Sequence, residues 1–249
     1  MLDLLIISGA SRGIGNSILE KCKNISKTII AIGSSDDIFK INDDKIINLK
    51  LDLANYVNIE KTVSFEVSKI KNIKNIGIVL CGAQIGEYGG LLDSDISYWE
   101  NLYKCNVLGN LAIVKACSNE IKNGAKLKVA FFGGGGAAYA YPDFSGYALS
   151  KVATVRAAEN LSVELSKYDA SVISVAPGAV ATSMLDKVIK NGGVVKTKTD
   201  ISEPTNFIYR FLTDDIFAKK INGRFMHVRD DVDAIDFENQ DICKLRRIQ

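Results

Sequence analysis

Histidine is nearly missing from this chain. His227 stands alone, so a multi-histidine metal site has no ligands to draw on and a histidine-based nucleophile triad would rest on one residue; His227 reads as structural. No metal site is expected. Proline is scarce, with three residues in 249, and no Pro- or Ser-rich linker divides the chain. A surplus of one charge is lacking as well: the net charge of +2 is too small to imply a nucleic-acid or membrane surface. No apolar run approaches membrane-spanning length. The first apolar run, from Leu4, follows Asp3 rather than a basic segment, so no secretory signal is expected. C-x-x-C pairs are absent. The five cysteines, Cys22, Cys81, Cys105, Cys117 and Cys243, form an odd set that reads as reduced thiols filling the core of a cytoplasmic protein.

What remains is an ordinary globular composition, 47% hydrophobic and 24% charged, long enough for one α/β domain over residues 1–249. Short Ile/Val/Leu runs predict strands at Leu2–Ser8, Thr28–Ile32, Ile46–Leu51, Ile76–Leu80, Leu127–Phe132, Ser171–Val175 and Arg224–Val228. Helical patterns fall between them at Ile14–Cys22, Val57–Ile70, Tyr98–Cys117, Ser150–Leu165 and Thr205–Leu212. Alternation of this kind predicts a doubly wound parallel sheet, three layers α/β/α, of Rossmann type. Ligands then sit at the carboxyl ends of the strands.

The chain is organised around Leu4–Gly15, where a buried strand runs into glycines spaced G-x-x-x-G-x-G. Such a turn gathers backbone N–H groups and the positive end of a helix at one point, which suits a pyrophosphate. Gly9 permits the turn, Gly13 admits a ligand and Gly15 lets helix and strand close up. Alone, the pattern is equally that of a glycine turn with no ligand.

The residues after each strand extend the argument. Strand two ends at Gly33 with no carboxylate to hold ribose hydroxyls. Ser34 and Ser35, with Arg12 from the glycine turn, suit a 2′-phosphate and favour NADP over NAD, although Asp36 and Asp37 oppose this unless they point away. Asp52 either accepts from an adenine amino group or caps the next helix. Gly82 and Ala83 suggest close packing against a cofactor, and Gln84 stands where a substrate would be met. Asn106, set among apolar residues, either stabilises a helix kink or holds a water in a proton relay. Tyr147 and Lys151 are four apart and share a helix face. An ammonium near the phenol lowers its pKa from about 10 and makes it a proton donor and acceptor for carbonyl–alcohol chemistry. Pro177-Gly178 ends strand six.

The glycine turn, Asp52, Asn106, Tyr147-x-x-x-Lys151 and Pro177-Gly178-x-Val180-x-Thr182, in this order, resemble the short-chain dehydrogenase/reductase family from Leu4 to about Thr182. The resemblance implies that Gly9, Ser11, Arg12, Gly13, Ile14 and Gly15 cradle the dinucleotide and that Asp52 and Leu53 border adenine. Gly82 and Ala83 would lie along the cofactor. Tyr147 would be the general acid/base, Lys151 would bind the nicotinamide ribose, Asn106 would hold the relay water, and Pro177, Gly178, Val180 and Thr182 would fix the nicotinamide end. It further implies a homodimer or homotetramer and a substrate lid over residues 183–202, with lysines including Lys187 and Lys196 and a Gly192-Gly193 hinge.

Two departures stand out. The family's Asn-Asn-Ala-Gly is replaced by Leu80-Cys81-Gly82-Ala83, and its catalytic serine falls on Gly134, or Gly133 with a one-residue shift. Loss of such a donor costs on the order of 10²–10³ in rate. Backbone N–H groups of the glycine loop, Ser145 or Tyr139 would take the role, or a bulky substrate brings its own hydroxyl, or the protein binds without turnover. The expected function is an NAD(P)-dependent oxidoreductase on a small carbonyl/alcohol substrate. The rivals are a dinucleotide-binding sensor or scaffold, and a nucleotide-sugar-modifying enzyme.

Overall fold

The computed structural model of the chain describes residues 1–192, 195, 198–238 and 241–245. The chain opens with β1 (Leu2–Ser8), α1 (Gly13–Cys22), β2 (Ser26–Gly33), β3 (Ile46–Lys50), α2 (Tyr56–Ser68) and β4 (Asn75–Leu80). It continues through α3 (Ile96–Tyr103), a π-helical turn at Lys104–Gly109, α4 (Asn110–Lys115), α5 (Ser118–Lys122), β5 (Lys126–Phe132), α6 (Gly135–Ala138) and α7 (Ser145–Glu164). It closes with β6 (Ala170–Ala176), β7 (Ala179–Val180), α8 (Ser183–Lys190), β8 (Lys198–Thr199), α9 (Ser202–Thr213), α10 (Asp215–Lys220) and β9 (Phe225–His227).

Among the described residues, seven strands form one sheet in the order β3-β2-β1-β4-β5-β6-β9, all paired in parallel. The order reverses between β1 and β4, which is where a doubly wound sheet opens its crevice. Side chains alternate across the pleat. Leu5 and Ile7 of β1 join Ile18 and Leu19 of α1 and Ile208, Phe211 and Leu212 of α9 on one face. Leu4 and Ile6 join Ile59, Val63 and Val67 of α2 and Ile113 of α4 on the other. The three layers thus follow from the strand period of two meeting the helical spacing of α2. Each such side chain contributes about 1.5–3 kcal/mol by burial. Any one of them outweighs an exposed ion pair such as Lys40–Asp37, which solvent screens.

The structure redraws three of the expected elements. The predicted helix Tyr98–Cys117 is broken into α3, the π turn and α4. At Gly109, the last residue of the π turn, the helix grazes the loop after β3, where a Cβ would overlap the carbonyl oxygen of Leu53. The helix expected from Ser150 begins at Ser145, and this brings Tyr147 and Lys151 together onto α7. The helix after β3 is capped by Asn55, whose side chain accepts from Asn58 N at 3.3 Å, and not by Asp52. The segment expected as an insertion contains α8, while Gly193 of the expected hinge and Lys196 lie outside the described residues. Among the described residues, no helix is long and apolar enough to cross a membrane, and the five cysteines are free thiols.

Candidate active site

The glycine turn between β1 and α1 is tight for a steric reason. A Cβ on Gly15 would overlap the carbonyl oxygen of Gly9, and one on Gly9 would come within 2.8 Å of Gly82 N. Helix, turn and the exit of β4 therefore touch through bare backbone, and a cleft of about 740 Å³ opens beside them. That size is within the range of small-molecule and cofactor sites. Its wall carries Gly9, Ser11, Arg12, Gly13, Ile14, Gly15, Ser34, Asp52, Leu53, Gly82, Ala83, Gln84, Gly134, Tyr147, Lys151, Pro177 and Thr182. The cleft follows the carboxyl ends of β1, β2, β4 and β5, so one groove runs from Ser34 to Tyr147. A cradle that a single Cβ would fill, at the mouth of a helix, fits a dinucleotide pyrophosphate.

Around Ser34 the acids are turned aside. Asp36 pairs with Lys50 at 2.7 Å, and Asp37 pairs with Lys40 at 2.6 Å and accepts from Ser35 Oγ at 3.2 Å. Lys40, with Arg12 contributing, holds the Asp37 carboxyl below its ordinary range. Asp52 turns its own carboxylate to Ala54 N at 3.0 Å while still bordering the cleft.

At the other end, burial and the nearby Tyr141 phenol push the Tyr147 phenol upward. This corrects the expectation that Lys151 lowers it. The Lys151 ammonium lies 5.5 Å from the centre of the Tyr147 ring and donates to Phe132 O at 2.8 Å. Burial pushes the Lys151 ammonium down to about 8. Desolvation dominates both groups, and Tyr147 is a neutral phenol at pH 7. It shares an apolar cluster with Ile85, Phe144, Tyr141 and, from α8, Met184 and Val188.

Five predicted site residues do not line the cleft. Asn106 is fully buried in the π turn. Its Oδ1 accepts from Gln84 N at 2.8 Å, and its Nδ2 donates to Gln84 O at 2.8 Å and to Ser150 Oγ at 2.9 Å. Both amide ends are thus spent on protein groups, which matches the kink-stabilising alternative. Gly178 and Val180 stand at the base of α8, where Val180 pairs with Thr199. Tyr139 is 79% exposed, so it does not stand in for a serine, and Ser145 begins α7 outside the cleft wall. At Gly134 the backbone takes φ +86°, and a Cβ there would lie 4.0 Å from Tyr147 Oη. At Gly133 a Cβ would press to 2.8 Å on Phe225 and 2.9 Å on Val155. Of the two, only Gly134 faces the phenol.

Sequence reasoning passed over Glu87, Tyr98 and Asn101, which line the mouth. The Tyr98 phenol is raised by its hydrogen bond to the Glu87 carboxylate. The spacing 98, 101, 105 along one helix face was the available signal. Lys187 of α8 also reaches the wall.

A parallel sheet whose first strand turns through glycines into a helix, with the groove at its switch point, defines a Rossmann-type dinucleotide-binding protein. The chain belongs to the short chain dehydrogenase family, whose sequence model matches residues 3–192. It is similar to the 3-oxoacyl-[acyl-carrier-protein] reductase FabG of Buchnera aphidicola subsp. Baizongia pistaciae, 26% identical over 90% of this chain and 95% of that protein. It is likewise 26% identical to an NADPH-dependent 3-dehydrocapnine reductase of Ornithobacterium rhinotracheale, over 80% of this chain and 72% of the other. Its fold matches the crystal structure of carveol dehydrogenase from Mycobacterium avium in complex with NAD, with a TM-score of 0.78, 19% identity, and 91% and 95% of the two chains covered.

Proposed function

We propose that the protein is an NAD(P)-dependent oxidoreductase that interconverts a carbonyl and an alcohol, with Tyr147 moving the proton. The observation that carries this reading is the meeting of Tyr147 and Lys151 with the glycine turn on one cleft wall. When bound, a nicotinamide supplies or accepts the hydride. The chain's own residues do the rest. Gly9, Gly13 and Gly15 receive the pyrophosphate on backbone N–H groups. Tyr147, neutral at pH 7, donates its proton to a carbonyl oxygen or takes one back from an alcohol. Lys151 binds the ribose beside it. Backbone N–H groups of the loop that begins at Gly134 take the place of a serine hydroxyl toward the reacting oxygen.

NADP is the preferred cofactor in this reading. Ser34, Ser35 and Arg12 suit a 2′-phosphate, and the pairing of Asp36 and Asp37 with lysines removes the objection to it. One relative is NADPH-dependent by name, whereas one fold neighbour holds NAD. Residues 183–202 act as the substrate lid on a single domain, with α8 as its helix, and the protein assembles as a homodimer or homotetramer.

Titration with NADPH and NADH, followed by a screen of carbonyl substrates, tests the proposal. Tyr147→Phe is expected to keep dinucleotide binding and lose turnover by about 10²–10⁴. A protein that binds neither dinucleotide overturns the reading. Binding with no turnover on any substrate, unaltered by Tyr147→Phe, favours a sensor.

A further inference from the structure

The segment that leaves β4, Cys81-Gly82-Ala83, carries no amide or hydroxyl side chain of its own, yet its backbone is fixed more firmly than a loop's. Gly82 is held at both ends of its peptide units. Its N–H donates to Ser8 Oγ at 3.0 Å, and its carbonyl accepts from Asn110 Nδ2 at 2.9 Å. Ser8 Oγ in turn donates to Asn110 Oδ1 at 2.8 Å, which closes a ring of three bonds. Asn110 Nδ2 spends its second hydrogen on Asn106 O at 3.0 Å. Ser8 is fully buried and Asn110 is 3% exposed, so water does not replace any of these partners if one is removed.

Gly82 is also the residue that touches the glycine turn, because a Cβ on Gly9 would lie 2.8 Å from Gly82 N and 2.9 Å from Gly82 Cα. These two backbones border the cleft at the adjacent carboxyl ends of the parallel strands β1 and β4, and their separation sets its width there. We infer that Asn110, through Ser8 and Gly82, is a positioning residue that sets this width for a dinucleotide. It does so from the first turn of α4, 28 residues along the chain from Gly82. Asn106 performs the matching task two residues further on, where it holds Gln84 N and Gln84 O. Two asparagines one helical turn apart thus act as a ready-made strand edge, pairing with alternate residues 82 and 84 along a segment that lines the cleft.

The inference rests on the reading that this cleft takes a nicotinamide dinucleotide, and the test separates the two. NADPH and NADH binding to Asn110→Ala and Ser8→Ala is measured by fluorescence titration, well below each variant's melting transition. Ile113→Val, a core change on the same helix, is the control for stability alone. Each of the two positioning variants is expected to bind on the order of tenfold to a hundredfold more weakly, and the double variant little more weakly than the worse single one, since both break one ring. Ile113→Val is expected to melt lower and bind as the wild type does. Should Asn110→Ala fail to fold, Ser8→Ala, which removes one oxygen, decides alone. Folded variants that bind as the wild type does, or a loss matched by Ile113→Val, overturn the inference and leave the cofactor reading standing. A wild-type protein that binds neither dinucleotide overturns both.

Discussion

Replacing Lys151 with methionine should make the protein more stable at neutral pH while it weakens the proposed hold on a ribose. The ammonium is 5% exposed, and its one strong partner is the Phe132 carbonyl, at 2.8 Å. What opposes its displacement is weak, namely the thiols of Cys81 and Cys105. Burial moves it from 10.5 to about 8, a shift that costs the native state about 3 kcal/mol below pH 8. Methionine fills similar space without charge and gives up a hydrogen bond worth about 1 kcal/mol. The variant should therefore gain about 2 kcal/mol at pH 7, or roughly 4–8 °C in Tm.

The pH dependence supplies the sign. The native ammonium releases its proton near pH 8 and the unfolded one near 10.5. Between those values the unfolded state binds more protons, so wild-type stability climbs with pH relative to the variant, and the gap should narrow by about 1 kcal/mol by pH 9. The buried thiols pull the other way. Cys22 and Cys117 are raised from 9.0 to about 12 and cost stability above pH 9, but they do so in both proteins and cancel in the difference. Urea denaturation of both proteins at pH 7, 8 and 9 measures the gap. Parallel stabilities across that range, or a variant weaker at pH 7, refute the account of a charge held at a desolvation cost.

Three further outcomes are expected. Gly15→Ala forces the turn to move, since the new Cβ overlaps Gly9 O; dinucleotide binding should fall by at least about a hundredfold, with about 2 kcal/mol of stability lost, and titration showing unchanged affinity would remove the turn from the site. Gly134→Ser places a side chain at φ +86° for about 1–2 kcal/mol of strain and should raise carbonyl-reducing turnover about tenfold or more; steady-state rates equal to wild type would mean that Gly134 is not the missing donor's position. Arg12→Ala should weaken NADPH by about tenfold and spare NADH, and calorimetry that finds both weakened alike would contradict the 2′-phosphate assignment.

The central strands β1 and β4 were legible because each is a short Ile/Val/Leu run buried on both faces. The glycine turn was legible because its spacing states a steric need. The break in the helix after β4 was not. The identity of Gly109 gave no hint that Leu53 O lies against it, a contact across 56 residues. Asn106 and Asn110 read as polar residues in an apolar helix, but their partners, Gln84 and Gly82, are fixed only once β4 and the π turn meet. The meeting of Tyr147 and Lys151 on one helix face was legible by spacing, but its electrostatics were misjudged, since burial depends on neighbours such as Tyr141 and Phe144 that spacing does not reveal. Glu87 and Tyr98 were passed over because their pairing joins a loop to a helix face.

Helix α8 lends Met184 and Val188 to the cluster that shelters Tyr147. If residues 183–202 act as the proposed lid, lifting that helix to admit a reactant would also let solvent reach the phenol. A wetted phenol is a stronger acid than a dry one. Entry and acidity would then be geared to the same movement: the proton gripped hardest while the door is shut and loosened as it swings.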